Sequence, residues 1–147
     1  MFERTLFAGW GDMDFNAHMR NTAFLDKAGD VRMMFFAENG FSMKALGELR
    51  IGPVVSRDDV EYYREVRLLD PIRVTYGLAG AAEDGSRMKL RNEFYRADGK
   101  LAARVTSFVG WLDLGARKLI VPPEALLRAM QSLEKTTDYE VLASSIR

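Results

Sequence analysis

The hydrophobic period of the chain changes from helical to strand-like near residue 50, and this change limits the folds that the chain can adopt. In residues 21–39, "NTAFLDKAGDVRMMFFAEN", four apolar residues fall on one helical stripe: Phe24, Ala28, Val31 and Phe35. We therefore predict a long, buried helix over residues 21–39. Asn21 is predicted to be its N-cap, and Asn39 and Gly40 are predicted to end it. Gly29, in mid-helix, predicts a close approach of the helix backbone to a sheet.

The strand-like half of the chain predicts an antiparallel meander. Four segments are rich in β-branched and aromatic residues or alternate apolar with polar residues: "IGPVVSRDDVEYYREV", "IRVTYGLAGAA", "SRMKLRNEFYR" and "LAARVTSFVGWLDL". Two Asp-Gly pairs, in "AEDGS" and "RADGK", predict hairpin turns. A helical turn is predicted in "SMKALGELR", and an amphipathic helix is predicted from "PPEALLRAMQSL".

These elements predict an α+β domain in which a curled antiparallel sheet wraps around a long central helix. The chain has 147 residues, of which 48% are hydrophobic, and no linker divides it, so residues 1–147 are predicted to form one domain. A meander leaves a sheet edge unpaired. Because natural sheets cover such edges or pair them with another chain, a homodimer is predicted.

Composition excludes several classes of function. Twenty-one basic residues balance twenty-one acidic ones, so nucleic acid is not a predicted partner. The chain has no cysteine, which excludes disulfides, thiolate catalysis and thiolate zinc sites. The first residues, "MFERTLFAGW", have no long apolar run, so neither a signal peptide nor membrane insertion is predicted. We predict a cytoplasmic protein.

A further strand is predicted at the start of the chain, before the main helix. Polar residues are concentrated between the two, in "GWGDMDFNAHMRN", residues 9–21. The stretch holds the only histidine of the chain, and its candidate site residues are Asp14, Asn16, His18 and Asn21. The first backbone N–H groups of a helix have no intrahelical acceptor and carry the positive end of its dipole. The N–H groups near Asn21 and Thr22 could therefore stabilise a developing oxyanion beside a carboxylate. Asx turns and a helix cap are the structural alternative for these side chains.

The segment "GDMDFNAHMRN" resembles the entry motif of hotdog-fold acyl thioesterases. Its start is similar to the 4-hydroxybenzoyl-CoA thioesterase group, and the longer pattern is similar to plant acyl-ACP thioesterases. The resemblance implies that Asp14 attacks the thioester or activates water, that Asn16 and His18 are its polar partners, and that Asn21 marks the amide that binds the thioester oxygen. The 4-hydroxybenzoyl group has glycine at the position of Ala17 and an aromatic residue at the position of Asn21.

The resemblance implies a homo-oligomeric thioester hydrolase, a dimer or a tetramer, that acts on acyl-CoA or acyl-ACP without a metal or other cofactor. Such hydrolysis needs a base or nucleophile and a donor that polarises the carbonyl, but the thiol leaves readily without strong acid catalysis. Coenzyme A carries phosphates, which bind to cationic side chains. Arg87 and Lys89 are the predicted phosphate-binding residues, although a row of charges on a wet strand face is commonly only solvated.

Three other interpretations are open. The carboxylates Asp12 and Asp14, with an acidic group formed by Asp58, Asp59 and Glu61, could bind a divalent metal, although they lack a known loop spacing. A hotdog hydratase is the nearest other enzyme, but its Asp/His motif is not found in the sequence. A non-catalytic acyl-binding module could use the same pocket, lined by Phe24, Met33 or Met34 and Phe35, which ordinary core packing also explains.

Overall fold

The computed structural model describes residues 1–146. It contains three helices: α1 (Asn21–Glu38), α2 (Met43–Leu49) and α3 (Glu124–Gln131). A 3-10 turn covers Trp10–Asp12. The seven strands are β1 (Phe2–Phe7), β2 (Ile51–Tyr62), β3 (Pro71–Ala82), β4 (Arg87–Arg96), β5 (Leu101–Asp113), β6 (Lys118–Ile120) and β7 (Lys135–Leu142).

The strands form one sheet in the order β1-β3-β4-β5-β2. Neighbours along this path are antiparallel, as predicted. The predicted meander of four strands is wrong for the first of them: the Asp-Gly turns join β3, β4 and β5 in succession, but β2 crosses to the far side of β5 and does not pair with β3. Gly85 and Gly99 have φ values of +76° and +81°, which the two hairpin turns require. The short strand β6 adds to β5, and β7 pairs with β3 in parallel. These last two strands were not predicted, and β7 is the exception to the antiparallel pattern.

Helix α1 has 18 residues and ends at Glu38, one residue before the predicted end. Its N-cap is Arg20, not Asn21, so that prediction is wrong. Arg20 has an extended backbone and makes no side-chain capping bond, whereas Asn21 is already the first helical residue. At the other end Asn39 is the C-cap and Gly40 follows at φ +85°, as predicted.

Aromatic side chains join α1 to the sheet. The ring of Phe24 packs edge-on against Phe94 of β4 at 5.3 Å between centroids, and Phe35 packs against Tyr76 of β3 at 5.4 Å. Tyr76 and Phe94 are completely buried. Such pairs add to the free energy gained from burial of their apolar surface. They hold α1 against one face of the sheet and so fix the position of its N-terminus.

Gly29 does not mark the predicted close approach of α1 to the sheet. A Cβ atom placed on Gly29 would meet no other atom within 4 Å, so the prediction is wrong. The residue is half-buried and faces open space. The space beside Gly29 is therefore open.

Strand β2 forms one border of the sheet. It has 12 residues and pairs with β5, and within residues 1–146 no strand pairs with its other side. Most of its side chains are exposed. The unpaired edge on which the dimer prediction depends is therefore present, and the oligomeric state remains a prediction. Of the helices described for residues 1–146, none is long and apolar enough to cross a membrane.

Candidate active site

The turn between the 3-10 segment and α1 is organised around Asp14. Its Oδ1 atom accepts hydrogen bonds from the backbone N–H groups of Asn16, at 2.8 Å, and His18, at 3.1 Å. The N–H of Asp14 donates to the carbonyl of His18 at 2.7 Å. Ala17 completes the turn at φ +62°, in the left-handed region. Within residues 1–146, Oδ2 of Asp14 has no hydrogen-bond partner, so one carboxylate oxygen is fixed and the other is free.

Asp12 has a structural role in the same motif. Its Oδ2 accepts from the backbone N–H of Gly9 at 2.7 Å and lies 2.9 Å from Nζ of Lys27, a largely buried residue of α1. Burial raises the pKa of Asp12, but the hydrogen bonds from Lys27 and Gly9 outweigh it and hold the pKa below its usual value. Asp12 therefore ties the 3-10 turn to α1.

His18 contacts the carboxylate of Glu65, which was not among the predicted site residues. Its Nε2 atom lies 3.1 Å from Oε2 of Glu65, in the connection between β2 and β3. The backbone of His18 forms an isolated bridge with Arg67 of the same connection. Its backbone N–H, rather than its imidazole, contacts Asp14. Glu65 thus orients the imidazole, and the predicted interaction of His18 with Asp14 is made by the main chain.

The first backbone N–H groups of α1 are free to bind a substrate oxygen. The N-cap Arg20 places no side chain on them; its Nε donates instead to Oγ1 of Thr22 at 3.0 Å. Within the described residues, the N–H groups of Asn21 and Thr22 have no acceptor, whereas that of Ala23 donates to the Arg20 carbonyl. These free donors stand at the positive end of the helix dipole.

One pocket of about 380 Å³ brings most of the predicted site together. Its lining residues are Asp14, Asn16, His18, Met19, Asn21, Phe24, Tyr62, Tyr63, Arg64 and Glu65. The hydroxyl of Tyr62 donates to the carbonyl of Asn21 at 2.9 Å, which holds the start of α1 against the end of β2. Burial raises the pKa of the Tyr62 hydroxyl above its usual value.

Four residues of the pocket, Tyr62 to Glu65, had no functional assignment in the sequence. They were included in a strand predicted to continue to Val66, but β2 ends at Tyr62. There the N–H groups of both Tyr63 and Arg64 donate to the carbonyl of Ala102, so regular pairing stops. The sequence signal that could have identified this part of the site is the run of two tyrosines, an arginine and a glutamate, which marks the end of the strand.

Arg87 and Lys89 do not line this pocket. They alternate along β4 with the buried residues Met88 and Leu90, so their side chains project from the sheet face opposite to α1. Lys89 is ion-paired with Glu140 of β7, with 3.2 Å between Nζ and Oε1. The structure therefore separates these two residues from the motif within one chain.

The carboxylates considered as metal ligands do not converge. Asp59 pairs with Arg57, Glu61 accepts from the hydroxyl of Tyr63, and Asp58 accepts from the hydroxyl of Ser107. Across residues 1–146, no group of three or more His, Asp or Glu side chains is placed to hold a metal ion.

The fold and the pocket define a class of protein: an α+β domain with a carboxylate beside the free N-terminal amides of its longest helix. The sequence model of the thioesterase-like superfamily matches residues 8–130. The chain belongs to this superfamily, and the predicted relationship to hotdog thioesterases is confirmed. Membership supports thioester hydrolysis in general. No curated protein matches the chain.

Solved structures share this fold at low sequence identity. A hypothetical protein from Staphylococcus aureus in complex with CoA is 21% identical with a TM-score of 0.84, and the match covers 95% of this chain and 89% of that one. A 1,4-dihydroxy-2-naphthoyl-CoA thioesterase from Synechocystis is 15% identical, with a TM-score of 0.80 and coverages of 90% and 96%. YbaW, a probable thioesterase from Escherichia coli, is 19% identical, with a TM-score of 0.75 and coverages of 90% and 98%.

Proposed function

We propose that the protein hydrolyses acyl-CoA thioesters in the pocket at the N-terminus of α1. The observation that carries the proposal is the free Oδ2 atom of Asp14 in the same pocket as Asn21, whose N–H has no acceptor within residues 1–146. A carboxylate can act as nucleophile or general base, and free amides can bind an oxyanion. The superfamily supports the thioester as the bond that is cleaved.

The backbone amides are proposed to stabilise the transition state. The thioester oxygen accepts from the N–H groups of Asn21 and Thr22, and negative charge develops on it as the carbonyl carbon becomes tetrahedral. Removal of one such donor from an enzyme costs roughly 3 kcal/mol of transition-state stabilisation, so two donors account for a large part of the catalysis. The thiolate then leaves, and the elements of water are added across the carbon–sulfur bond to give an acid and a thiol.

Asp14 has two possible roles, and both use its free oxygen. As a general base it removes a proton from the attacking water; as a nucleophile it forms an anhydride that water then opens. A single turnover in ¹⁸O-labelled water distinguishes them. A general base delivers the label to the product acid directly, whereas a nucleophile transfers one of its own unlabelled oxygens when water opens the anhydride at the aspartyl carbon. In both cases Asn16 and His18 bind the water or the substrate, and Glu65 holds the imidazole of His18 in place.

CoA is proposed as the carrier because a protein of the same fold is solved with it. Arg64 lines the pocket, whereas the predicted phosphate ligands Arg87 and Lys89 lie on the opposite face of the sheet. Whether Arg64 or the pair Arg87 and Lys89 binds the phosphates can be tested with two substrates, acyl-CoA and acyl-pantetheine, since only acyl-CoA carries the nucleotide phosphates. A phosphate ligand should, when replaced by alanine, raise KM for acyl-CoA more than for acyl-pantetheine. Arg64→Ala is measured beside the Arg87→Ala/Lys89→Ala double variant.

A turnover assay with a panel of thioesters tests the proposed function. The purified protein is incubated with short-, medium- and long-chain acyl-CoAs, with aromatic acyl-CoAs and with acyl-ACP, and thiol release is followed. Hydrolysis of acyl-CoA is the expected result. Saturable binding without thiol release would instead identify an acyl-binding module, and hydrolysis of acyl-ACP alone would replace CoA as the carrier.

A further inference from the structure

Arg32 places a charge on the side of α1 that packs against the sheet. Its Nε donates to Oδ1 of Asn92 at 2.9 Å, and its Nη2 donates to Oγ of Ser107 at 2.6 Å. Both partners are completely buried. The hydroxyl of Ser107 donates in turn to Asp58 of β2. Arg32 and Asp58 therefore form a fixed polar cluster below α1, and the mechanism proposed above does not use it.

Between the pocket and this cluster, one face of α1 carries half-buried residues, and we call this face the strip. Leu25, Gly29 and Arg32 stand at positions i, i+4 and i+7, on one face of the helix. Leu25 and Gly29 are half-buried, and the space beside the Cα of Gly29 is empty. From Asn21 to Arg32 the helix advances about 16 Å, and the Arg32 side chain leans back toward the N-terminus.

Strand β2 provides the other side of the strip. Tyr62, Val60 and Asp58 alternate along the strand and so point to one face of the sheet. Tyr62 packs edge-on against Phe24 at the pocket end, with 5.5 Å between ring centroids, and Asp58 meets Ser107 at the far end. The distance along the strand between these two ends is about 13 Å. The strip is thus apolar in the middle and charged at its end.

We propose that this strip receives the acyl chain and that Arg32 limits the length of the acyl group that is hydrolysed, an inference that rests on the proposed thioesterase function. A medium-length acyl chain fits between the free amides and the polar cluster. A longer chain would have to strip the remaining water from Arg32 and Asp58, which costs more than the burial of a further methylene gains. Arg32 cannot move aside without breaking its bonds to two buried partners.

The first test changes the charged end of the strip. We would measure kcat/KM for butanoyl-, octanoyl- and hexadecanoyl-CoA with the wild-type protein and with Arg32→Met, which keeps an unbranched side chain but removes the charge. The wild-type ratio of octanoyl to hexadecanoyl activity should fall by about tenfold or more in the variant, a size typical of pocket contacts with hydrocarbon. Butanoyl activity should not change. Arg32→Gln, which keeps an amide to bond with Ser107, is the second variant if Arg32→Met does not fold.

The second test fills the strip before its end. Gly29→Leu should fold, because leucine favours a helix over glycine, and its side chain would enter the empty space. We expect octanoyl activity to fall and butanoyl activity to be retained. Asp30→Leu adds the same side chain at the next position, which is exposed, and should leave the length profile unchanged.

The outcomes separate this inference from the proposed function. Thiol release from no thioester by the wild-type protein would overturn the function and the inference together. Hydrolysis with the same length profile in the wild-type protein and in Gly29→Leu would overturn the acyl path alone. A shift in Gly29→Leu with none in a folded Arg32 variant would show that Arg32 does not limit the acyl length.

Discussion

Asp12 and Asp14 stand two positions apart in one motif, but the structure gives them different surroundings. Asp12 binds Lys27 and the backbone of Gly9, and both contacts belong to the fold. In Asp14, Oδ1 accepts the two backbone hydrogen bonds of the turn, and Oδ2 has no partner among residues 1–146 and belongs to a residue that lines the pocket. Both contacts of Asp12 use its Oδ2 atom, and Asp12 does not line the pocket. Of the two carboxylates, Asp14 is therefore the one that a substrate in the pocket can reach.

Within the described residues, Ala17 is one of four residues other than glycine that have a positive φ. At φ +62° an L-residue with a Cβ atom costs roughly 1–2 kcal/mol, a cost that glycine avoids. We predict that Ala17→Gly stabilises the protein by about 1 kcal/mol, which raises Tm by about 2–4 °C in a chain of this size. Differential scanning calorimetry measures the shift.

The control for this prediction is Ala37→Gly, on an exposed helical position of α1. It should lower Tm, because glycine in a helix is less favourable than alanine. A drop in Tm for both variants would contradict the strain at Ala17.

The residues of the site could be predicted from the sequence only where they are close together along the chain. Asp14, Asn16, His18 and Asn21 fall within eight positions, and the pocket contains all of them. Glu65 comes from a connection more than forty positions away. Its contact with His18 depends on where β2 ends, and the alternation pattern continues past that point.

At the scale of elements, α1 serves both the core and the site. Its buried aromatic residues hold it on the sheet, while its first turn presents free amides to the pocket. The stripe of apolar residues predicted the helix well because burial dictates that pattern. It could not predict the cap: asparagine is a strong capping residue, yet Arg20 takes that position and Asn21 is helical.

Strand β7 escaped prediction because it is not part of a hairpin. It pairs in parallel with the second half of β3, beyond the residues that pair with β1. A parallel pairing of this kind has no turn residues in the sequence that would predict it, because it forms only when the rest of the sheet has placed the two strands side by side. Its acidic residues Asp138 and Glu140 bind Arg91 and Lys89 of β4, so the charged face of β4 is partly covered rather than fully solvated.

The ion pair between Asp138 of β7 and Arg91 of β4 predicts that the stability of the protein depends on pH. Hydrogen bonds from Thr136 and then Arg91 lower the pKa of Asp138 to about 2. Because this folded-state pKa lies below the unfolded value of about 4, the stabilisation is complete above pH 4 and is lost as the pH falls toward 2. We expect at most about 1 kcal/mol, since the Asp138 side chain is half exposed.

Chemical denaturation of the wild-type protein and Asp138→Asn checks this dependence. The variant should be less stable than the wild-type protein near neutral pH and equally stable near pH 2. A difference in the free energy of unfolding that is the same at both pH values would contradict the role of this carboxylate.

At the scale of the whole molecule, the long outer edge of β2 has backbone groups that find no strand to pair with among residues 1–146. A strand of 12 residues with unpaired backbone groups favours pairing with a second sheet. We predict a homodimer in which the two sheets adjoin and the active sites lie near the subunit boundary. Light scattering over a dilution series should give the dimer mass at micromolar concentration, and a monomer mass throughout would contradict the prediction.

The most direct test of thioester hydrolysis at the α1 pocket is the activity of Asp14→Asn. Asparagine keeps the size of the side chain and an oxygen for the two backbone donors, but it can neither remove a proton nor attack as a carboxylate. We predict that kcat/KM for the best acyl-CoA of the panel falls by about a hundredfold or more, with Tm close to that of the wild-type protein. Asp30→Asn, an exposed change on α1, should keep full activity. Near-normal hydrolysis by a folded Asp14→Asn protein would contradict the assignment of the catalytic carboxylate.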